Sequence, residues 1–391
     1  MVHLSVFVDL LCFAIILPLL PLYALELDAT GFEVGALLSC YAIAQLIGAP
    51  LLGRLSDRVG RRPVLVMALT GTAISMALTG WATSLPALLL ARTVAGAFGG
   101  SISAAQAWLA DVTRPEDRAR AMGLLGASIG FGFVAGPALG AFLAPWGFAA
   151  ASYVAAAIAA LNAVGALFYL EEPERDRSAG STERPSLVAL GSPRPISMLL
   201  AAGFLSTAAF VAVETAFPLV GERLWAMDGR DLGFVFTFVG VVSIVVQGGL
   251  VGRLERAWGR RKSAILGTII MACGLAAMGR AGSLGMLEVV SALGLVAAGQ
   301  GLVRPALAAM LSLEAGESHR GEVLGLGQSA AAAARALGPL GAGLLYDRAL
   351  PLPFMAGAVA IVAVMGILAA WRPGRPAASA ERLPREGDQL S

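Results

Sequence analysis

Twelve runs of about 20 mostly apolar residues, parted by short charged or Pro/Gly-rich breaks, fill most of this 391-residue chain. They fall at 3–25, 34–53, 63–83, 85–110, 119–143, 146–170, 196–220, 232–252, 262–279, 284–312, 322–346 and 351–371. Each is long enough to cross the hydrocarbon core of a bilayer as a helix, so the pattern predicts an all-α membrane protein with twelve transmembrane helices, here spans 1 to 12. The first run has no basic leading region, contains Asp9 and exceeds the apolar stretch of about 7 to 15 residues in a secretory leader, which predicts a retained first helix.

The breaks carry an asymmetry of charge. Of the 28 basic residues, 27 are Arg, and 21 of the 28 lie in the loops after the even spans, in the loop after span 10 and in the C-terminal tail. Four (Arg223, Arg230, Arg280 and Arg348) lie in the opposite loops. Positive charge is retained on the cytoplasmic side, which predicts both termini in the cytoplasm of a cell, for a bacterium in its inner membrane. The longest polar stretch, 171–195, is rich in Pro, Ser and charge and reads as a cytoplasmic linker between a six-helix bundle at 1–170 and another at 196–371, with a tail at 372–391. The halves repeat: GRLSDRVGRRP at 53–63 is echoed by GRLERAWGRRK at 252–262, and Gly136-Pro137 by Gly338-Pro339.

Composition narrows the function. Only 14% of residues are charged and the net charge is +2, which gives no footprint for nucleic acid. Cys12, Cys40 and Cys273 lie in apolar runs without metal-ligand spacing, and His3 and His319 stand far apart, so no disulfide framework, metal or cofactor is expected. There is no phosphate-binding GxxxxGK[ST] loop, no HExxH and no paired catalytic carboxylates, so neither a primary pump nor an enzyme is expected. Gly126-Ala-Ser128-Ile-Gly130 has the spacing of a nucleophile elbow, but it sits within an apolar helix with no strand before it.

Four segments carry a family resemblance. The loop after span 2 holds Gly53, Asp57, Arg58, Gly60, Arg61 and Arg62, where glycines permit a tight turn and Asp57 and Arg61 suit a charge-assisted cluster. Span 5 reads GLLGASIGFGFVAGPALGAF, with Gly126, Gly130, Gly136 and Gly140 spaced for close helix packing and Pro137 removing a backbone hydrogen bond. Span 4 contains LARTVAG around Arg92 and ends at Asp111, after which Thr113-Arg-Pro-Glu116 reads as a capping box opening span 5; span 1 runs DLLCFAIILPLLP from Asp9. These segments resemble the major facilitator superfamily, the 12-helix drug:proton antiporters of the tetracycline-exporter type in particular. The resemblance implies two pseudo-symmetric bundles and alternating access. It implies a switch cluster of Asp57, Arg61 and Asp111 that braces the arginine-rich ends when that side is closed, an antiporter role for span 5, and a monomer. The second copy, with Glu255 near the place of Asp57, is expected to brace more weakly.

A charge at the bilayer centre costs at least about 2.5 to 3.5 kcal/mol, so the ionisable residues within spans point to a cavity or a partner. Asp9, Arg92, Glu214 and Arg304 lie in spans 1, 4, 7 and 10, the spans that line the cavity of the resembled fold, and Arg335 lies in span 11. At a rise of about 1.5 Å per residue, Asp9 and Arg304 fall about 7 to 9 Å to the arginine-rich side of the midplane, and Arg92 and Glu214 about 8 to 9 Å to the other. Depth therefore predicts Asp9 paired with Arg304 and Arg92 with Glu214, as gates between the halves that a proton on the carboxylate releases. Three interior Arg against two carboxylates leave one positive charge, which Arg335 with Gln45, Gln106, Gln247, Gln300 and Gln328 would offer to a substrate bearing a carboxylate, phosphate or zwitterionic group. The expected function is proton-coupled antiport of small amphiphilic drug-like compounds, with protons, a small-molecule substrate and the lipid bilayer as partners. A lipid, lysolipid or organic-anion transporter, or a transport-inactive sensor or scramblase on the same scaffold, is the alternative.

Overall fold

The computed structural model describes residues 1–114, 116–172, 194–315 and 319–372. Most of the expected linker at 171–195 and of the tail at 372–391 lies outside them. All twelve spans form helices: Val2–Ile16 with Leu19–Glu26 (span 1), Gly31–Val59 (2), Arg61–Trp81 (3), Leu85–Ala97 with Ser101–Val112 (4), Arg118–Leu143 (5) and Phe148–Tyr169 (6). The second set is Arg194–Trp225 (7), Gly229–Val245 continuing through a π turn at Val246–Leu250 into Val251–Trp258 (8), Arg260–Met278 (9), Met286–Glu314 (10), Arg320–Arg348 (11) and Leu352–Ala370 (12). Among the described residues, eleven are long and apolar enough to cross a membrane; span 11 is the more polar twelfth, carrying Arg320, Glu322, Arg335, Asp347 and Arg348.

Several helices outrun their apolar runs. Span 2 continues six residues beyond the expected 53, to Val59, because its last turns carry Arg54, Asp57 and Arg58, charged residues that hydropathy discards but that a helix end in water accepts. Span 1 breaks before Pro18, and span 4 breaks at Phe98–Gly100. The expected capping box at 113–116 is absent: span 5 begins after Asp117 with no side-chain cap. True boxes instead open span 2, from Thr30 and Glu33, and span 8, from Asp228 and Asp231.

The internal repeat is visible in the turns. Gly60 (φ 115°) and Gly259 (φ 80°) both turn the chain between successive spans in a conformation that side chains with a Cβ resist. Just after each, an arginine donates to the carbonyls that end the last helix of its own half: Arg62 to Leu167 O, and Arg261 to Leu368 O at 2.8 Å and to Ala369 O. Within the halves span 1 packs along span 5 and span 3 along span 6, while span 7 packs along span 11 and span 9 along spans 10 and 12. Between the halves, span 2 meets span 11 and span 5 meets span 8.

These two seams close at one end only. Away from the arginines, a Cβ placed on Gly35 would stand 2.2 Å from Pro339 O, and one on Gly233 would stand 2.6 Å from the Ala141 Cβ. Toward the arginines, Gly53, Gly126, Gly248, Gly249 and Gly325 have nothing within 4 Å of such an atom. The bundles therefore touch at the far end and part toward the arginine-rich end, leaving a cavity open on that side.

Candidate functional site

Arg61 Nη1 lies 2.8 Å from Asp57 Oδ1 and its Nε 2.8 Å from Asp111 Oδ2, tying the end of span 2 to the end of span 4. Arg58 points to solvent beside it. This cluster stands intact within the first half although the arginine-rich end is open. The second copy is looser, with Arg260 Nε 3.7 Å from Glu255 Oε2. A residue that the sequence pattern assigns to the linker completes the first: the Glu172 carboxylate accepts the backbone N–H groups of Arg61 at 2.6 Å and Arg62 at 2.9 Å, closing the first turn of span 3. Glu172→Ala is expected to lower stability by about 1 kcal/mol, measured as a fall in melting temperature in detergent.

Span 5 uses its glycines on two partners. A Cβ at Gly132, Gly136 or Gly140 would stand 2.4 to 2.8 Å from Leu10, Ala14 or Ile15 of span 1, so this face fastens span 5 inside its own half. Gly130 turns to Ile244 of span 8 across the seam, and Gly126 meets nothing. The helix runs on through Pro137, whose carbonyl faces Gly233 of span 8.

Neither depth-matched ion pair forms. Asp9 is turned into its own bundle, where Ser101 Oγ donates to its Oδ2 at 2.5 Å and Thr72 of span 3 lies beside it; its buried Oδ1 has no partner. Ser101 opens the second segment of span 4, so the break at Phe98–Gly100 brings that hydroxyl to Asp9. Arg92 is 1% exposed and is boxed by aromatic faces, its guanidinium 4.8 Å from the Tyr41 ring centre and 5.5 Å from that of Phe13, with Nε and Nη1 unpartnered. Cation–π attraction of about 2 kcal/mol in such a dry place replaces the expected carboxylate.

Glu214 lies in the second half with Arg335 and Arg304 as the charges in electrostatic reach, and it makes no ion pair within 4 Å. Beside it Phe210, Phe217, Val235, Phe236, Leu293 and Val296 from spans 7, 8 and 10 line an apolar crevice. Arg304 is exposed and Arg335 half-buried. Tyr41, which carries no charge to mark it in the sequence, lies in electrostatic reach of Asp9 and Arg92 in its own half and of Arg335 in the other.

The glutamines divide. Gln45 donates to Gly99 O at 2.8 Å, filling the break in span 4, and Gln300 is buried with Oε1 unpartnered. Gln106, Gln247 and Gln328 are exposed, Gln247 in the π turn of span 8, a helix irregularity frequent at functional sites.

The Major Facilitator Superfamily profile matches residues 2–287 and 225–391. The chain is 32% identical over 351 residues to the class E tetracycline resistance protein of Escherichia coli, covering 88% of this chain and 86% of that one. It is 28% identical over 384 residues to multidrug resistance protein 2 of Bacillus subtilis, covering 96% and 95%. Among solved structures, a point mutant of the nucleoside transporter NupG superposes with a TM-score of 0.78 at 14% identity, covering 95% and 98% of the two chains.

Proposed function

Since the chain belongs to the Major Facilitator Superfamily, and so is a multi-pass membrane transporter of small-molecule substrates rather than an enzyme, we propose that it exports amphiphilic compounds in exchange for protons by alternating access. The observation that carries this reading is the cavity itself. It opens toward the arginine-rich end, which the positive-inside rule assigns to the cytoplasm with both termini, and Arg335 stands in electrostatic reach of Tyr41 in the first half and of Glu214 in the second. The tetracycline and multidrug resistance proteins it resembles support the drug-like cargo.

The chemistry of the walls narrows the substrate. Arg304 with Arg335 outnumber Glu214, which suits a cargo carrying an anionic or zwitterionic group. A positive group of such a cargo would compete with a proton for Glu214, and mutual exclusion of proton and substrate is what exchange requires. Asp9 is the second proton site in this reading. It has the hydroxyls of Ser101 and Thr72 beside it and no arginine, so a proton changes its charge without breaking an ion pair.

The test is accumulation of a fluorescent zwitterionic or anionic amphiphile in everted vesicles. The proposal expects uptake that an uncoupler abolishes. Uptake indifferent to the uncoupler, or movement of lipid without any gradient, would place the chain with uniporters or scramblases of the same fold.

A further inference from the structure

At the end away from the arginines, one residue fastens the two bundles. The last turn of span 11 sets Asp347 over the first turn of span 2, where its Oδ1 accepts the Gly31 N–H at 2.7 Å and its Oδ2 the Phe32 N–H at 2.8 Å. These are two of the four amides that a helix leaves unpaired at its start. The third, that of Glu33, is taken by the Thr30 hydroxyl, and the Glu33 carboxylate returns to the Thr30 N–H at 2.8 Å. Span 2 thus has one cap that travels with it and one that belongs to the other bundle. At this end no other side-chain hydrogen bond among the described residues joins the bundles. The approach depends on two glycines: a Cβ on Gly31 would stand 2.6 Å from Asp347 Oδ1, and one on Gly343 would stand 2.0 Å from Gly31 O.

We propose that Asp347 is a positioning residue of the transport cycle, a latch that holds the far end shut while the arginine-rich end is open and that must release on every turnover. The proposal rests on the alternating-access reading above. Its two bonds are charge-assisted and aligned with the positive end of a 29-residue helix, so they favour the closed seam. Asp347 is also exposed, and water takes over both amides and both oxygens when the seam parts. Such a contact sets a population without locking it. Closing the far end without the latch leaves Gly31 and Phe32 N–H against a side chain that no longer accepts them, which biases the protein toward the state open on that side.

Spin labels at Trp146→Cys and Glu222→Cys, on opposite bundles at the far end and away from the latch, report this opening in a background lacking the three native cysteines. Asp347→Ala is expected to raise the ratio of long to short distances by about tenfold, from the loss of two charged hydrogen bonds partly repaid by water. Asp347→Asn keeps one acceptor oxygen without the charge and is expected to fall between Asp347→Ala and the wild type, while Thr30→Ala, which removes the travelling cap, leaves the ratio within about twofold. A wild type that shows both distances and an Asp347→Ala variant with the same ratio would overturn the latch alone. A wild type with one fixed distance under every condition would overturn the latch together with alternating access.

Discussion

Gly35→Ala is expected to cut export at least about fivefold while leaving the protein folded and in the membrane. Gly35 lies where span 2 crosses span 11, and the added Cβ would stand 2.2 Å from Pro339 O, 2.8 Å from Pro339 C and 3.2 Å from the Leu340 Cα. All three are backbone atoms, so no side-chain rotation relieves the clash and the helices themselves must separate. Overpacking of this kind costs about 1 to 3 kcal/mol, or roughly fivefold to 150-fold in an equilibrium. In the proposed alternating-access cycle that cost falls on one state alone, the state in which the far end is shut and Gly35 meets Pro339. The variant is therefore held with the far end open. Uncoupler-sensitive uptake into everted vesicles should drop at least about fivefold at unchanged melting temperature. Uptake at the wild-type rate would mean that the seam between spans 2 and 11 does not close in the cycle.

Asp9→Asn carries the second large effect. Asparagine keeps the shape of the carboxyl and an oxygen for the Ser101 hydroxyl, but it cannot exchange a proton. If Asp9 is a coupling site, the variant should lose at least about tenfold in accumulation against a gradient and still equilibrate substrate downhill, since the cavity and the crevice beside Glu214 are untouched. Uphill uptake that survives unchanged would remove Asp9 from the proton path. Glu214→Gln separates the two carboxyls: its expected defect is a weakened competition between acid pH and substrate binding, measured as a flatter dependence of half-saturating substrate on pH.

The contrast between what is legible in the sequence and what is not has a geometric cause. Span count, the repeated turns of the two halves, the residues of the Asp57–Arg61–Asp111 cluster and the presence of charges within the spans follow from hydropathy, repeated motifs and charge placement, which depend only on position along the chain. Ion pairing depends as well on how each helix is rotated about its axis. Counting residues gives Asp9 a height similar to that of Arg304, but its helix turns it toward Thr72 and Ser101 of its own bundle. Charge alone suggests a carboxylate for Arg92, yet the rings of Phe13 and Tyr41 take that place. Glu172 and Asp347 escape the pattern for a different reason. Both lie just past the apolar runs, where hydropathy sees only loop, although each serves the N-terminus of a distant helix. A carboxylate placed at the edge of a span is the signal that could have found them.

In the proposed cycle two bundles rock about a buried, charged cavity, so that one end opens as the other shuts. Paired distances in lipid nanodiscs test it most directly, with spin labels at Arg118→Cys and Arg256→Cys on the arginine-rich ends and at Trp146→Cys and Glu222→Cys on the opposite ends. Between acid and alkaline pH, and with and without substrate, the two distances are predicted to change in opposite senses, the first shortening whenever the second lengthens. Distances that stay fixed, or that lengthen together, would contradict it.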